Sequence, residues 1–161
     1  VQGVYAIGDV TGGMMLAHVA SRQAAVAVDN ILGRDERMDY IAVPQCVYVQ
    51  PGVAFAGLGE RQAKEAGHRV KVGIAPMSAS GKAAVEGETG GFVKIVAGAG
   101  FGEILGVHLY CHGATELIAE GVLAINTEAT ADFLAQSVHP HPSISESLGE
   151  AAEAAGVDLG R

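Results

Sequence analysis

Residues 139–146 read HPHPSISE. Histidine is the side chain best suited to exchange protons near neutral pH. A carboxylate beside it fixes the tautomer and stabilises the charged ring, as in a catalytic triad. Glu146 is the carboxylate nearest to His141 in this stretch. Pro142 breaks any helix between the two, so helical offsets do not place their side chains. A second reading competes: Ser143-Ile-Ser-Glu146 matches the capping box, in which the glutamate bonds back to the serine backbone N–H at a helix start. From this stretch alone the capping box is the stronger reading. The two coexist in part, because a carboxylate has two oxygens and about four acceptor positions.

Two other segments carry candidate binding residues. In GVYAIGDV, residues 3–10, Gly8 permits close backbone approach and Asp9 follows a strand-like run. Ligands bind at such strand ends in open α/β sheets, and a carboxylate there accepts from sugar-like hydroxyls. Gly-Asp is also an ordinary turn pair, which is the better reading on turn chemistry alone. MLAH, residues 15–18, precedes a helical pattern. First-turn N–H groups and the positive end of the dipole suit an electron-rich ring or an oxyanion. His18 by itself reads as a half-exposed helix histidine. Cys46 and Cys111 lie in apolar strand contexts, fit no metal or redox spacing, and read as small buried hydrophobes.

The elements that must position these residues follow from periodicity. VQGVYAIGD (1–9) reads as a short buried strand, and Leu16 to Leu32 as a helix stopped by Gly33. RDERMD (34–39) is a polar connector and a domain boundary. CVYVQ (46–50) and VAFAGLG (53–59) read as strands around Pro51-Gly52, and ERQAKEAG (60–67) as a short helix. VKVGIAP (70–76) alternates like a strand, and KAAVEGETG (82–90) is turn-rich. FVKIVAG (92–98) and GEILGVHLY (102–110) form a hairpin across a glycine turn. Helices are expected at 114–126, 129–138 and 143–155, the first with Leu117, Ile118, Val122 and Ile125 on one face. A run of strands followed by a run of helices predicts an α+β domain with an antiparallel sheet and helices packed on it.

Composition narrows the classes of function. A net charge of −8 disfavours phosphate backbones, so nucleic acid is not an expected partner. No apolar run approaches the roughly 20 residues of a bilayer span, so no membrane is expected. Hydrophobic residues at 49% suit a packed core. Two cysteines make no disulfide framework, which points to a cytoplasmic location. Val1 is not a methionine, and a strand-like run opens the chain, so the sequence reads as a piece cut from a longer protein.

Taken together, these residues resemble the C-terminal part of the dihydrolipoamide dehydrogenases, which are pyridine nucleotide–disulfide oxidoreductases. GVYAIGDV with MLAH resembles the second flavin-binding segment. PQCVYVQPGVAFAGLGE (44–60) resembles the start of the interface domain. GETGGFVKIV, GEILGVHLY and ATELIAEGVLAI resemble its sheet and first long helix. HPHPSISE resembles the His-x-His-Pro-Thr-x-x-Glu signature.

The resemblance implies residues 1–40 as a strand-helix remnant of the FAD domain and 41–161 as an FAD/NAD-linked reductase dimerisation domain. It implies Asp9 on the ribityl chain of FAD, with Met15, Leu16, Ala17 and His18 at the flavin ring edge. His141 becomes the acid–base histidine and Glu146 its partner, acting across a homodimer interface. The implied reaction oxidises protein-bound dihydrolipoamide with NAD+, the lipoyl domain of a 2-oxo acid dehydrogenase complex being the partner. Departures are plain. The paired redox cysteines and the glycine-rich dinucleotide fingerprints are absent, so the chain alone is expected to be inactive and to lack FAD. Val19-Ala-Ser-Arg22-Gln23 replaces an acidic stretch, Ser143 a threonine, and Pro140 a small residue. A glutathione reductase, a flavin transhydrogenase, or a non-catalytic dimerisation module are the alternatives.

Overall fold

The computed structural model describes residue 1 and residues 3–156. The chain forms two compact units, Val1–Tyr40 and Ile41–Arg161.

The first unit holds a 3-10 turn, Gly8–Thr11, and helix α1, Ala17–Ile31. The strand expected over residues 1–9 is absent: this unit has no strand among its described residues. An extended run needs a neighbouring strand for its backbone N–H and C=O groups, and no such neighbour lies in this unit. Helix α1 follows the expected pattern within a residue at each end, yet only Val19 and Val26 on it are buried. Val28, Ile31 and Leu32, on its expected apolar stripe, are exposed.

The second unit is built on a five-stranded sheet. Its strands are β1 (Gln45–Val47), β2 (Gly52–Gly57), β3 (Val70–Pro76), β4 (Phe92–Gly98) and β5 (Ile104–Cys111). Their spatial order is β1-β2-β5-β4-β3, and every neighbouring pair is antiparallel. The expected hairpin is β4–β5, closed where Gly98 N–H donates to Glu103 O at 2.9 Å. Alternation along the strands sends one set of side chains to a single face. Val93, Ile95 and Ala97 of β4 and Val107, Leu109 and Cys111 of β5 form its buried centre.

Helices cover that face. Helix α4, Ala114–Asn126, packs on β2 and β5 through Ile118, Gly121 and Ile125. Helix α6, Glu146–Ala154, packs on β3 and β4 and against α5, Ala131–Gln136. Leu148, Ala151 and Ala152 are buried apolar positions of α6, and the small Ala151 and Ala152 let it sit close. A Cβ placed on Gly73 of β3 would collide with the Ala151 carbonyl oxygen and the Ala155 amide nitrogen, so α6 rests on the strand's peptide groups.

Two more helices lie between the strands in sequence. Helix α2 spans Glu60–Glu65. The turn-rich reading of residues 82–90 is corrected by helix α3, Gly81–Glu86. Ser80 caps it by accepting from Ala83 N–H at 3.3 Å, and Lys82 pairs with Glu86 one turn on at 2.8 Å. Gly87, with φ of 73°, closes it.

Candidate functional site

The loop from α5 to α6 carries the two histidines. It leaves α5 at Ser137 and reaches α6 at Glu146, with Pro140 and Pro142 fixing φ on either side of His141. The His141–Pro142 peptide is cis.

His141 projects into solvent with its side chain 80% exposed, and its Nδ1 lies 2.8 Å from Glu146 Oε1. The other carboxylate oxygen, Oε2, accepts from the Ser143 backbone N–H at 2.8 Å. Both sequence readings therefore describe the same carboxylate, one oxygen each. Only half of the capping box forms. The Ser143 hydroxyl faces the Ser145 hydroxyl at 2.8 Å and does not cap the helix. Ser145 is the N-cap residue and makes no side-chain cap bond.

The Glu146 carboxyl is held below the usual glutamate value, first by the Ser143 N–H and then by His141. An ionised carboxylate only accepts hydrogen bonds. The proton between the pair must then sit on His141 Nδ1, which donates to Oε1. In the neutral ring this leaves the lone pair on Nε2, facing solvent. A histidine in that tautomer takes a proton at Nε2 while its partner carboxylate stabilises the resulting cation.

His139 is placed differently. Its side chain is 10% exposed, and Nε2 lies 2.8 Å from Glu120 Oε1 on α4. A Cβ on Gly149 of α6 would come within 3.3 Å of His139 Nδ1, so the ring lies on that helix. The alternation of His139 and His141 in sequence becomes one ring inward and one outward. No spacing rule pointed to Glu120, which lies 19 residues upstream; its one sequence signal is a carboxylate on the predicted helix at 114–126.

The first unit carries the other sequence-predicted residues. Asp9 is exposed within the 3-10 turn, directly after Gly8, whose φ is 74°. Gln23 Oε1 on α1 accepts from the Gly8 N–H at 2.7 Å, and Gln23 Nε2 donates to Tyr40 Oη at 3.0 Å. Gln23 thus fastens the turn that presents Asp9. Met15 is exposed, Leu16 is the extended N-cap of α1, and Ala17 and His18 open the helix. Asp9, Leu16, Ala17 and His18 thus lie at the 3-10 turn and the N-terminus of one helix.

The cysteines are structural. Cys111 is buried on β5 and burial pushes its thiol up to about 11. Cys46 is half-buried on β1, its thiol raised by burial and by the charge of Glu116. Among the described residues no group of three or more His, Cys, Asp or Glu side chains could hold a metal ion. No helix among them is long and apolar enough to cross a membrane.

Comparison with known proteins bears on the same segments. Residues 43–152 match the model of the pyridine nucleotide-disulphide oxidoreductase dimerisation domain. The chain is similar to a dihydrolipoyl dehydrogenase of Bacillus subtilis (strain 168), 48% identical over 153 residues, covering 94% of this chain and 32% of that protein. It is similar to another of Chlorobaculum parvum, 51% identical over 154 residues, covering 95% and 33%. Among solved structures, it resembles the HOCl-induced flavoprotein disulfide reductase RclA of Escherichia coli. There the TM-score is 0.86 at 29% identity, over 92% of this chain and 35% of that one. LpdA of Mycobacterium tuberculosis gives a TM-score of 0.86 at 29% identity, over 92% and 33%. The chain spans about a third of the length of the curated relatives it matches.

Proposed function

The chain belongs to the pyridine nucleotide–disulphide oxidoreductase family through its dimerisation domain, and we propose that it is the interface and acid–base portion of a dihydrolipoyl dehydrogenase. The observation that carries this is the His141 Nδ1–Glu146 Oε1 contact at 2.8 Å, with the ring's far nitrogen open to solvent.

In this reading the second unit pairs with another copy of the same chain as a homodimer. His141 then addresses a reaction centre on its partner. Its Nε2 takes a thiol proton from protein-bound dihydrolipoamide, and Glu146 stabilises the imidazolium that forms. The thiolate attacks a redox disulfide that is not formed by Cys46 and Cys111, the two cysteines of this sequence. That S–S bond breaks as a mixed disulfide forms, and the second dihydrolipoamide thiol then displaces the enzyme thiolate, which closes the lipoamide disulfide and leaves the enzyme cysteine pair reduced. FAD, when bound, supplies the route for the electron pair to NAD+.

The residues of the first unit fit one wall of a flavin site. Asp9 is an exposed acceptor for hydroxyls, presented by a left-handed glycine that Gln23 holds in place. Leu16, Ala17 and His18 open a helix whose dipole favours the electron-rich edge of a ring. Met15 adds an exposed apolar side chain beside them. A lipoyl domain of a 2-oxo acid dehydrogenase complex as substrate carrier, and a cytoplasmic location, belong to the same proposal. Two cysteines held as free thiols support the location.

A chimera tests the reading. The matching segment of the Bacillus subtilis relative is replaced by this chain, and lipoamide–NAD turnover is measured. A folded, dimeric, FAD-loaded chimera turns over, and His141→Gln lowers its rate by about two orders of magnitude or more. Turnover that is indifferent to His141→Gln in such a chimera overturns the proposal.

A further inference from the structure

We infer that His139 is a positioning residue for His141, tethered by Glu120 so that the loop presents the outer ring in one tautomer and one direction. This rests on the acid–base reading of His141 and Glu146.

Six observations carry it. The two rings share one short segment yet differ in environment, 10% against 80% side-chain exposure. His139 reaches across to α4, where Glu120 meets its Nε2 at 2.8 Å. Helix α4 is itself fixed on the sheet by Ile118, Gly121 and Ile125. The other side of the His139 ring rests on α6 at Gly149, where a Cβ would crowd it. Only Pro140 separates the two histidines, and its locked φ passes the placement of one to the other. The far end of the loop is fastened by the Ser143 N–H on Glu146. The loop is therefore held at both ends, by an inner pair on α4 and an outer pair on α6.

The two pairs also select opposite tautomers. Glu120 accepts from His139 Nε2–H, whereas Glu146 accepts from His141 Nδ1–H. His139 cannot take over the outer role without giving up its tether.

Imidazole nitrogen NMR on the 15N-labelled chain at neutral pH reads the tautomers directly. The unsubstituted chain is expected to show Nε2–H at His139 and Nδ1–H at His141. Glu120→Ala cuts the tether without harming α4, because alanine is a strong helix former and Glu120 is 36% exposed. The Nδ1–H to Nε2–H ratio at His141 should then fall about fivefold, the population effect of one net hydrogen bond. Glu120→Gln keeps an acceptor oxygen and should restore most of that ratio. A purely structural tether would lower the melting temperature and leave His141 unchanged in both variants, and that result overturns the inference. An unsubstituted chain without Nδ1–H at His141 instead removes the acid–base pair itself, and the inference falls with it.

Discussion

His141 and Glu146 are joined through one carboxylate oxygen, while the second oxygen holds the backbone N–H of Ser143, each at 2.8 Å. The same side chain therefore orients the ring and starts helix α6. Glutamine at this position has one acceptor oxygen, not two. The Ser143 N–H can only donate, but a neutral imidazole can exchange donor for acceptor. Glu146→Gln is expected to keep its oxygen on Ser143 and turn its NH2 toward the ring. His141 then accepts at Nδ1 and carries its proton on Nε2, so the outward nitrogen loses its basic lone pair. Imidazole nitrogen NMR checks this, and Nδ1–H persisting in the variant contradicts it. Glu146→Ala loses both contacts.

The carboxyl of Glu146 sits below the ordinary glutamate value of 4.5, chiefly because of the Ser143 N–H. A group whose value is lowered in the folded state stabilises that state above its unfolded value. The contribution is lost as pH falls through the folded value. The chain should therefore exceed Glu146→Gln in melting temperature at neutral pH, and the gap should close only below about pH 4.5. A gap that closes between pH 6 and 8 would assign the effect to another group.

Cys111 has a thiol pushed up to about 11 by burial. At pH 8 about one molecule in a thousand would carry the thiolate, and the sulphur has no access to solvent. A disulfide reagent should leave it unlabelled in the folded chain and label it fully in denaturant. Cys46, half-buried and raised in the same direction, should react in the folded chain more slowly than a free thiol. Mass mapping of the labelled peptides separates the two.

Gly149 is a helical position where alanine would ordinarily gain about 1 kcal/mol. Here its Cβ would press on His139 Nδ1 at 3.3 Å, and His139 is held by Glu120. Gly149→Ala should therefore gain less than that in the unsubstituted chain. With Glu120→Ala the ring is free to yield and the gain should return. A double-mutant cycle in denaturant measures the difference, and strict additivity rules out the crowding.

Much of this was legible in the residues. Alternation in β3 and the helical spacing at 114–126 came through because burial on one face imposes a period, and the β4–β5 hairpin came through its glycine turn. The Glu146 site was legible as two competing patterns, since a capping box and an acid–base pair ask for a carboxylate at the same place. Other features were hidden. The strand-like run at residues 1–9 has the right residue types but no ladder partner in its unit, which composition does not reveal. Helix α3 hid behind Gly81 and Gly87, although Ser80 was its start signal. The Glu120–His139 contact joins helix α4 to the α5–α6 loop through the tertiary fold, so nothing in local spacing announces it. Gln23 on Gly8 is hidden for the same reason.

The seat of α6 on Gly73 has a consequence for how the loop chemistry is preserved. Side chains in a core can change volume and choose new rotamers, and a helix resting on them drifts with each exchange. Peptide groups offer no such freedom. With the Ala151 carbonyl lying over the Gly73 backbone, the height of α6 above β3 at this point is set by main chain against main chain. Glu146 begins that helix, so the carboxylate that meets His141 is indexed to a position in mid-strand that has no side chain to vary.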